Sequence, residues 1–124
     1  MQQIIDELKR TLATAGIDAW VSGREKRPYS IWQKMQRKSV EFEQLSDIVA
    51  FRIVVKTVED CYKTLGVIHN AYRVVPGRFK DYVSNPKSNG YRSLHTAVFG
   101  PQGQRVEVQI RTAEMHEIAE LGVA

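Results

Sequence analysis

The 124-residue chain is poor in cysteine and has no long apolar run. Its one cysteine, Cys61, excludes an internal disulfide and a metal site built on several cysteines. No apolar run approaches the roughly 18 residues that a membrane helix needs, and the segment MQQIIDELKR has no signal-peptide core. With 43% hydrophobic and 26% charged residues, the composition is typical of a globular domain. We therefore expect a single domain of the reducing cytoplasm, without a membrane partner.

Several short motifs that would assign a chemistry are also absent. The sequence contains no GxxxxGK[ST] phosphate loop, no GxGxxG, no HExxH and no set of Cys and His at zinc spacing. P-loop nucleotide binding, dinucleotide binding and zinc chemistry are therefore not indicated. The sequence also has no internal repeats and no low-complexity tracts.

The positive charge is concentrated in two segments. The net charge is +4, but residues 24–38 carry six basic residues and one acid, and residues 73–92 carry five and one. The remainder of the chain is therefore net negative. Two basic segments favour an anionic partner such as a phosphate, a nucleic acid or an acidic protein surface, although solvated basic faces would have the same composition.

The spacing of apolar residues predicts an α/β (α+β) fold, with a mixed, largely antiparallel sheet of about five strands flanked by helices. The strand over residues 48–56 is apolar on both faces apart from Arg52, which is typical of a central strand. Residues 73–90 have no clear periodicity and are predicted to form a long loop. The aromatic and basic residues of this loop favour a functional role. The predicted helices are 2–15, 28–38, 58–72 and 112–121, and the predicted strands are 17–22, 48–56, 91–99 and 105–111. Gly16 and Gly23 are expected to end the first helix and the first strand, and Thr112 to cap the last helix.

The last two strands are predicted to form a hairpin with one polar face. If Phe99 pairs with Arg105, alternation places one set of side chains together on that face. The set combines a base, an acid, an amide and aromatic rings, which suits a ligand site better than plain solvent exposure. Its members are Tyr91, Ser93, His95, Glu107, Gln109 and Arg111.

Some residues of reactive types are predicted to be structural. Cys61 is expected in the core or at its boundary, and His69 and His116 lie on predicted helices. Trp20 and Trp32 are expected to pack rather than to bind a base.

Five sequence blocks, taken together, resemble one family. They are GREKRPYSIWQKMQRK, SDIVAFRIVV, DCYKTLGVIH, VPGRFKDYVSNPKSNGYRSLHT and VEVQIRTAEMHEIAE, and they occur in the order and at the spacing of the RelA/SpoT family of (p)ppGpp synthetases. The resemblance implies a nucleotidyltransferase-like fold. It also implies transfer of pyrophosphate from ATP to the ribose 3′-hydroxyl of GDP or GTP, with release of AMP in the stringent response.

The resemblance assigns residues to ATP and to a metal ion. ATP would be held by Arg24, Lys26, Lys34 and Arg52, with Arg24 and Arg52 placed to sandwich the adenine. Asp47 and Glu107 match the two family carboxylates and would hold Mg²⁺, or Mn²⁺ as the alternative. Glu107 is either a metal ligand or the general base on the 3′-hydroxyl.

The resemblance assigns the second basic segment and the hairpin to GDP or GTP. Tyr91 would stack on guanine, Asn89 could read the base edge, and Gln109 could contact the ribose. Lys80, Lys87 and His95 match positions near the acceptor phosphates or the transferred group, and Lys80 is counted with the catalytic residues. The RFKD segment (78–81) accompanies bifunctional members that also carry a hydrolase domain.

The chain, residues 1–124, is therefore expected to be a synthetase domain cut from a longer enzyme and truncated at its C-terminus. Its expected partners are ATP, GDP or GTP, and the hydrolase and regulatory domains of the parent, with the ribosome reached through those regions. Two alternatives stay open: a nucleotide- or RNA-binding module without catalysis, for which two basic segments and Tyr91 would serve, and an inactive fragment.

Overall fold

The computed structural model of the chain describes residues 2–25 and 49–121. Over these residues the polypeptide forms three helices and five strands. In order they are α1 (Gln2–Thr14), β1 (Ala19–Glu25), β2 (Val49–Val55), α2 (Val58–Ala71), β3 (Lys80–Asp81), β4 (Leu94–Phe99), β5 (Arg105–Thr112) and α3 (Ala113–Glu120). The helix predicted over residues 28–38 lies outside the described residues.

The five strands form one mixed sheet in the order β1-β2-β5-β4-β3. The pairs β1–β2, β4–β5 and β3–β4 are antiparallel, and β2 runs parallel to β5 at the centre. The predicted mixed, largely antiparallel sheet is therefore confirmed, as is the central place of the Arg52 strand. The hairpin register is also as predicted, because Phe99 pairs with Arg105 and Ala97 with Glu107.

The sheet has one apolar face, which the first two helices cover. Alternate residues of β2 and β5, among them Phe51, Ile53, Val108 and Ile110, are at most 2% exposed and join one core. These side chains share a face because successive residues of a strand point to opposite sides. The core continues into α1 and α2, and Cys61 of α2 is fully buried in it, as predicted.

The helix boundaries follow from ordinary capping chemistry. The predicted end of α1 is confirmed, since Gly16 follows it with φ of +78°, a conformation that glycine adopts without strain. The Thr57 hydroxyl accepts a hydrogen bond from the Asp60 N–H at the start of α2. The Thr112 hydroxyl accepts one from the Met115 N–H at the start of α3, so the predicted cap is confirmed. None of these three helices has the length and apolar content of a membrane-spanning helix.

Three boundary predictions are wrong. β1 does not end at Gly23 but continues to Glu25, because the ladder with β2 runs on through Gly23–Phe51 to Glu25–Val49. β4 begins at Leu94 rather than at residue 91, and the segment before it pairs with the loop instead: the Tyr82 N–H donates to the Ser93 carbonyl. Within the predicted loop, the two-residue strand β3 extends the sheet by one strand.

The prediction for Trp20 is also wrong. Its side chain is 58% exposed, because it projects from β1 on the face opposite α1 and α2, alongside Val54.

Truncation of a buried α1 leucine tests whether this helix belongs to the core. Leu8 is 2% exposed, so Leu8→Ala removes methyl groups from a packed environment and leaves a cavity. We expect the free energy of unfolding in urea to fall by about 2–5 kcal/mol. The matched control Lys9→Ala, at an exposed neighbouring position, should change it by less than about 0.5 kcal/mol. Equal values for the two variants would contradict the packing of α1.

Candidate active site

The face of the sheet opposite α1 and α2 carries the polar side chains. One transverse row of paired residues crosses all five strands: Ser22 pairs with Arg52, Arg52 with Gln109, Gln109 with His95, and His95 with Lys80. Paired residues share a face of a sheet, and neighbouring strands lie about 4.8 Å apart. Four predicted site residues are therefore aligned in one line about 15 Å long, counted from β2 to β3.

A second row of paired residues lies two residues further along each strand, on the same face of the sheet. It contains Ala50 of β2, Glu107 of β5 and Ala97 of β4, and in the backbone ladder Ala50 pairs with Arg24 of β1. The description of Arg24 is limited to its backbone in β1. Lys26, Lys34 and Asp47, which are also predicted site residues, lie outside the described residues.

Arg52 lies beside a small cavity at the β1–β2 end of the face. The cavity is lined by Arg52 and Gln109 together with Ser22, Gly23, Ala50 and Phe51. The Arg52 guanidinium is 3.8 Å from Glu120 of α3, and its buried Nε–H has no hydrogen-bond partner among the described residues. A partly buried guanidinium with an unused donor, beside a cavity, can bind a ligand that supplies acceptor atoms or a flat ring.

Glu107 lies in a second cavity at the middle of the face. This cavity is also lined by Arg78, Lys80, His95 and Gln109. The Glu107 carboxylate is 3.9 Å from the Arg78 guanidinium, and both side chains are more than one third exposed. Within residues 2–25 and 49–121 no three His, Cys, Asp or Glu side chains come close enough to form a metal site by themselves.

Tyr91, His95, Gln109 and Arg111 form one hydrogen-bonded chain. The Arg111 Nη2 donates to the Tyr91 hydroxyl at 2.9 Å and to the Gln109 Oε1 at 2.7 Å. The Tyr91 hydroxyl in turn lies 2.8 Å from the His95 Nε2. Tyr91 and Gln109 were predicted to face the same site, and this chain connects them through Arg111.

His95 is uncharged at neutral pH. Its burial, together with the positive charges of Arg111 and Lys87, lowers the pKa of the imidazole to about 4. His95 therefore acts in the site as a neutral hydrogen-bonding group rather than as a cation.

The loop before β4 brings two more predicted residues to the Tyr91 ring. The Lys87 ammonium lies 4.8 Å from the centroid of the Tyr82 ring and 5.3 Å from that of Tyr91, within cation–π range. The Asn89 Oδ1 accepts a hydrogen bond from the Tyr91 N–H at 3.0 Å, so its carbonyl shapes the loop and its amide NH₂ remains for a ligand.

Asp81, from the RFKD segment, fixes the start of this loop. Its carboxylate accepts hydrogen bonds from the N–H groups of Val83 and Ser84 and from the Tyr62 hydroxyl of α2. Burial raises the pKa of Asp81, but the hydrogen bonds from Ser84, Tyr62 and Val83 outweigh it and lower the pKa overall. Asp81 thus ties the loop to α2, a role that the sequence motif did not indicate.

Two residues of the predicted polar face are buried. Ser93 is fully buried, and its hydroxyl donates to the Ile110 carbonyl at 3.2 Å. The β4–β5 ladder starts at Leu94, so the predicted pair of Ser93 with Arg111 is not part of it. Arg111 is on the polar side but is only 2% exposed, and it contacts Tyr91 and Gln109 instead of solvent.

Comparison with known proteins identifies the family. The family described as "Region found in RelA / SpoT proteins" matches residues 23–124. The chain therefore belongs to the RelA/SpoT family.

The relatives of this chain include enzymes and solved synthetase structures. A "GTP pyrophosphokinase rsh" of Brucella ovis is 55% identical over all 124 residues, and the chain spans 16% of that protein's length. Small alarmone synthetase 1 of Bacillus subtilis, solved with its product pppGpp, is 30% identical with a TM-score of 0.73; the match covers 98% of this chain and 73% of that one. The same synthetase bound to AMPCPP is 26% identical with a TM-score of 0.69, covering 98% and 69%.

The low pKa of His95 has a measurable consequence for stability. An unfolded histidine titrates near pH 6.5, so between about pH 6.5 and pH 4 the unfolded state binds a proton that folded His95 does not. The contribution of neutral His95 to stability is therefore present above pH 6.5 and is lost as the pH falls toward 4. We expect His95→Gln to weaken the acid-side fall in the free energy of unfolding over this window. An NMR midpoint of 6 or above for His95 would contradict the assignment.

Proposed function

We propose that this chain is a pyrophosphoryl transferase that uses ATP as donor and GDP or GTP as acceptor, forming (p)ppGpp and AMP. The observation that carries the proposal is the single polar face of the sheet. It has Arg52 at one end, Glu107 in the middle, and Lys80, His95 and the Tyr91 loop at the other end. A cationic group at each end and a carboxylate between them suit two phosphorylated substrates that must meet at one point.

The β1–β2 end is proposed as the ATP side. Arg52 offers a guanidinium beside a cavity, and Arg24 belongs to the neighbouring strand β1, where it pairs with Ala50. Arginine side chains stack on flat rings and bind phosphates, which fits a nucleotide donor. Lys26 and Lys34 are proposed to neutralise the triphosphate. The related synthetase that was solved with AMPCPP supports an ATP-type ligand in this fold.

The β4–β3 end and the loop over residues 82–92 are proposed as the guanosine side. Tyr91 supplies a ring for stacking, Asn89 an amide for the base edge and Gln109 a polar group for the ribose. Lys80, Lys87 and His95 are proposed to contact the phosphates or the transferred group. The relative that was solved with pppGpp supports a guanosine ligand in this fold.

Glu107 and Asp47 are proposed to hold a magnesium ion, with Mn²⁺ as the alternative. The Glu107 carboxylate is on the polar face among cationic side chains, and oxygen donors are the ligands that Mg²⁺ prefers. Asp47 precedes β2 by two positions, and β2 is the strand that pairs in parallel with β5. When bound, the ion would neutralise charge on the phosphates and so stabilise the transferring group.

The proposed reaction joins the ribose 3′-oxygen to the β-phosphorus of ATP. The bond between that phosphorus and the α–β bridging oxygen breaks, and AMP leaves. Arginine and lysine side chains stabilise the negative charge throughout, which is the main requirement of phosphoryl-type transfer. Glu107 is proposed either to accept the 3′-hydroxyl proton as general base or to act solely as a metal ligand.

The chain spans about one sixth of the length of the Brucella ovis relative, so the activities of a longer parent protein are proposals as well. We propose that the parent is a cytoplasmic bifunctional enzyme with hydrolase and regulatory domains, and that its ribosome contacts lie in those regions. Both nucleotide substrates are abundant in the cytoplasm, which supports that location.

Removing either proposed metal carboxylate should abolish synthesis. Wild-type chain is incubated with ATP, GDP and Mg²⁺, and AMP and a tetraphosphorylated guanosine are separated by chromatography. Glu107→Gln and Asp47→Asn should each lower the rate at least about 100-fold. The matched control Glu114→Gln, at an exposed position of α3, should retain the wild-type rate. Persistent product in both carboxylate variants would refute the metal assignment, and nucleotide binding without any product would favour the binding-module alternative.

Truncation of Tyr91 should affect the acceptor and spare the donor. Base stacking on an aromatic ring contributes about 1–3 kcal/mol, so Tyr91→Ala should raise the KM for GDP about 5- to 150-fold. The KM for ATP should change less than about twofold, because Arg52 and its cavity are at the other end of the face. Tyr72→Phe, which alters a tyrosine bonded to Glu7 of α1, is the control. An equal rise in both KM values would contradict the stacking role.

A further inference from the structure

Arg111 is a buried cation whose hydrogen bonds go to neutral acceptors. It is 2% exposed, and its Nη2 donates to a phenol and to an amide. Among the described residues no carboxylate is within ion-pair distance of it, and its buried Nε–H has no partner. Burial of a charge is costly, and a residue needed only for stability would normally be paired with a carboxylate. The contacts that offset the cost of burying this charge are its hydrogen bonds to Tyr91 and Gln109.

The guanidinium fixes the direction of two of the three hydrogen bonds in the chain. Arginine can donate but cannot accept, so the Tyr91 oxygen and the Gln109 Oε1 must both accept. The Tyr91 hydroxyl keeps a proton of its own, which it can donate to the His95 Nε2, 2.8 Å away. In that arrangement neutral His95 carries its own proton on Nδ1. In the same way, Gln109 is left with its amide NH₂ as the group for a ligand.

We propose that Arg111 is a positioning residue for the acceptor nucleotide: its buried guanidinium holds the Tyr91 ring and, through hydrogen-bond direction, makes Gln109 and His95 donors. This proposal rests on the proposed function, since it concerns the same guanosine side. Two side chains held as donors, beside Lys80 and Lys87, match a ligand rich in acceptor oxygens, such as the ribose and phosphates of a nucleoside diphosphate.

The tautomer of His95 tests the proposal without any catalysis. At pH 8, nitrogen-15 NMR of the imidazoles distinguishes a proton on Nδ1 from one on Nε2. Wild type should show His95 protonated on Nδ1. Arg111→Met removes the donor, and Tyr91→Phe keeps the ring but removes the hydroxyl; both should shift His95 toward the other tautomer. His69, bonded to Thr96 on the helix-covered side, serves as the internal control.

The outcome decides between a positioning and a merely structural role. A purely structural arginine predicts an unchanged His95 tautomer in a folded Arg111→Met, and that result would overturn the proposal. So would wild-type His95 protonated on Nε2. If Arg111→Met fails to fold, as judged by circular dichroism, Arg111→Gln takes its place, because this neutral side chain can accept a hydrogen bond as well as donate one, and its His95 tautomer is interpreted in the same way.

Nucleotide affinity provides the second readout. Arg111→Met should weaken GDP about tenfold or more, the size expected for losing one charge-assisted hydrogen bond, while ATP affinity changes less than about twofold. The matched control Arg10→Met, at an exposed position of α1, should change neither. Equal weakening of both nucleotides would overturn the proposal. GDP binding by calorimetry needs no turnover, so a wild type that binds GDP but makes no product would count against the proposed function alone.

Discussion

The parallel pairing of β2 with β5 is the constraint on which the site depends. This ladder aligns Arg52 with Gln109 and Ala50 with Glu107, and it joins the two antiparallel hairpin-like halves of the sheet. Side chains alternate along a strand, so a slip of one residue would turn Glu107 and Gln109 into the core and Val108 out of it. The burial of Val106, Val108 and Ile110 against the helices therefore holds the polar row in place. The geometry of the site thus depends on the packing of the core.

Electrostatics within the site follows from the same arrangement. Cationic side chains are distributed along the polar face, and the deepest of them, Arg111, lies under the Tyr91 loop instead of pointing to solvent. Its charge, with that of Lys87 and the burial of the ring, keeps His95 neutral. A positive floor of this kind can attract phosphates while its hydrogen bonds hold the neutral contact groups in defined orientations. Asp81 and Asn89 add to this by fixing the loop through backbone N–H groups rather than by facing the ligand.

Local patterns predicted a large part of this structure. Alternation gave the β4–β5 register and the polar face with His95, Glu107 and Gln109, because hairpin strands are close in sequence and share one turn. The apolar residues on both sides of Arg52 predicted that its strand lies inside the sheet, as it does. The parallel β2–β5 pairing could not be predicted, because its partners are more than 50 residues apart and no local pattern specifies their register. The end of the β4–β5 ladder at Leu94 could not be predicted, because alternation says nothing about where a ladder stops, and the burial of Arg111 arises only in the assembled fold.

The central claim is that one face of one sheet holds both nucleotides, with the donor at the β1–β2 end and the acceptor at the β4–β3 end. Backbone amide NMR of the chain, titrated first with a non-hydrolysable ATP analogue and then with GDP, tests it most directly. The ATP analogue should shift amides around Ser22 and Arg52, GDP should shift those of residues 82–95, and both should affect Glu107 and Gln109. Shifts centred on α1 and α2, or identical shifts for the two nucleotides, would contradict the claim.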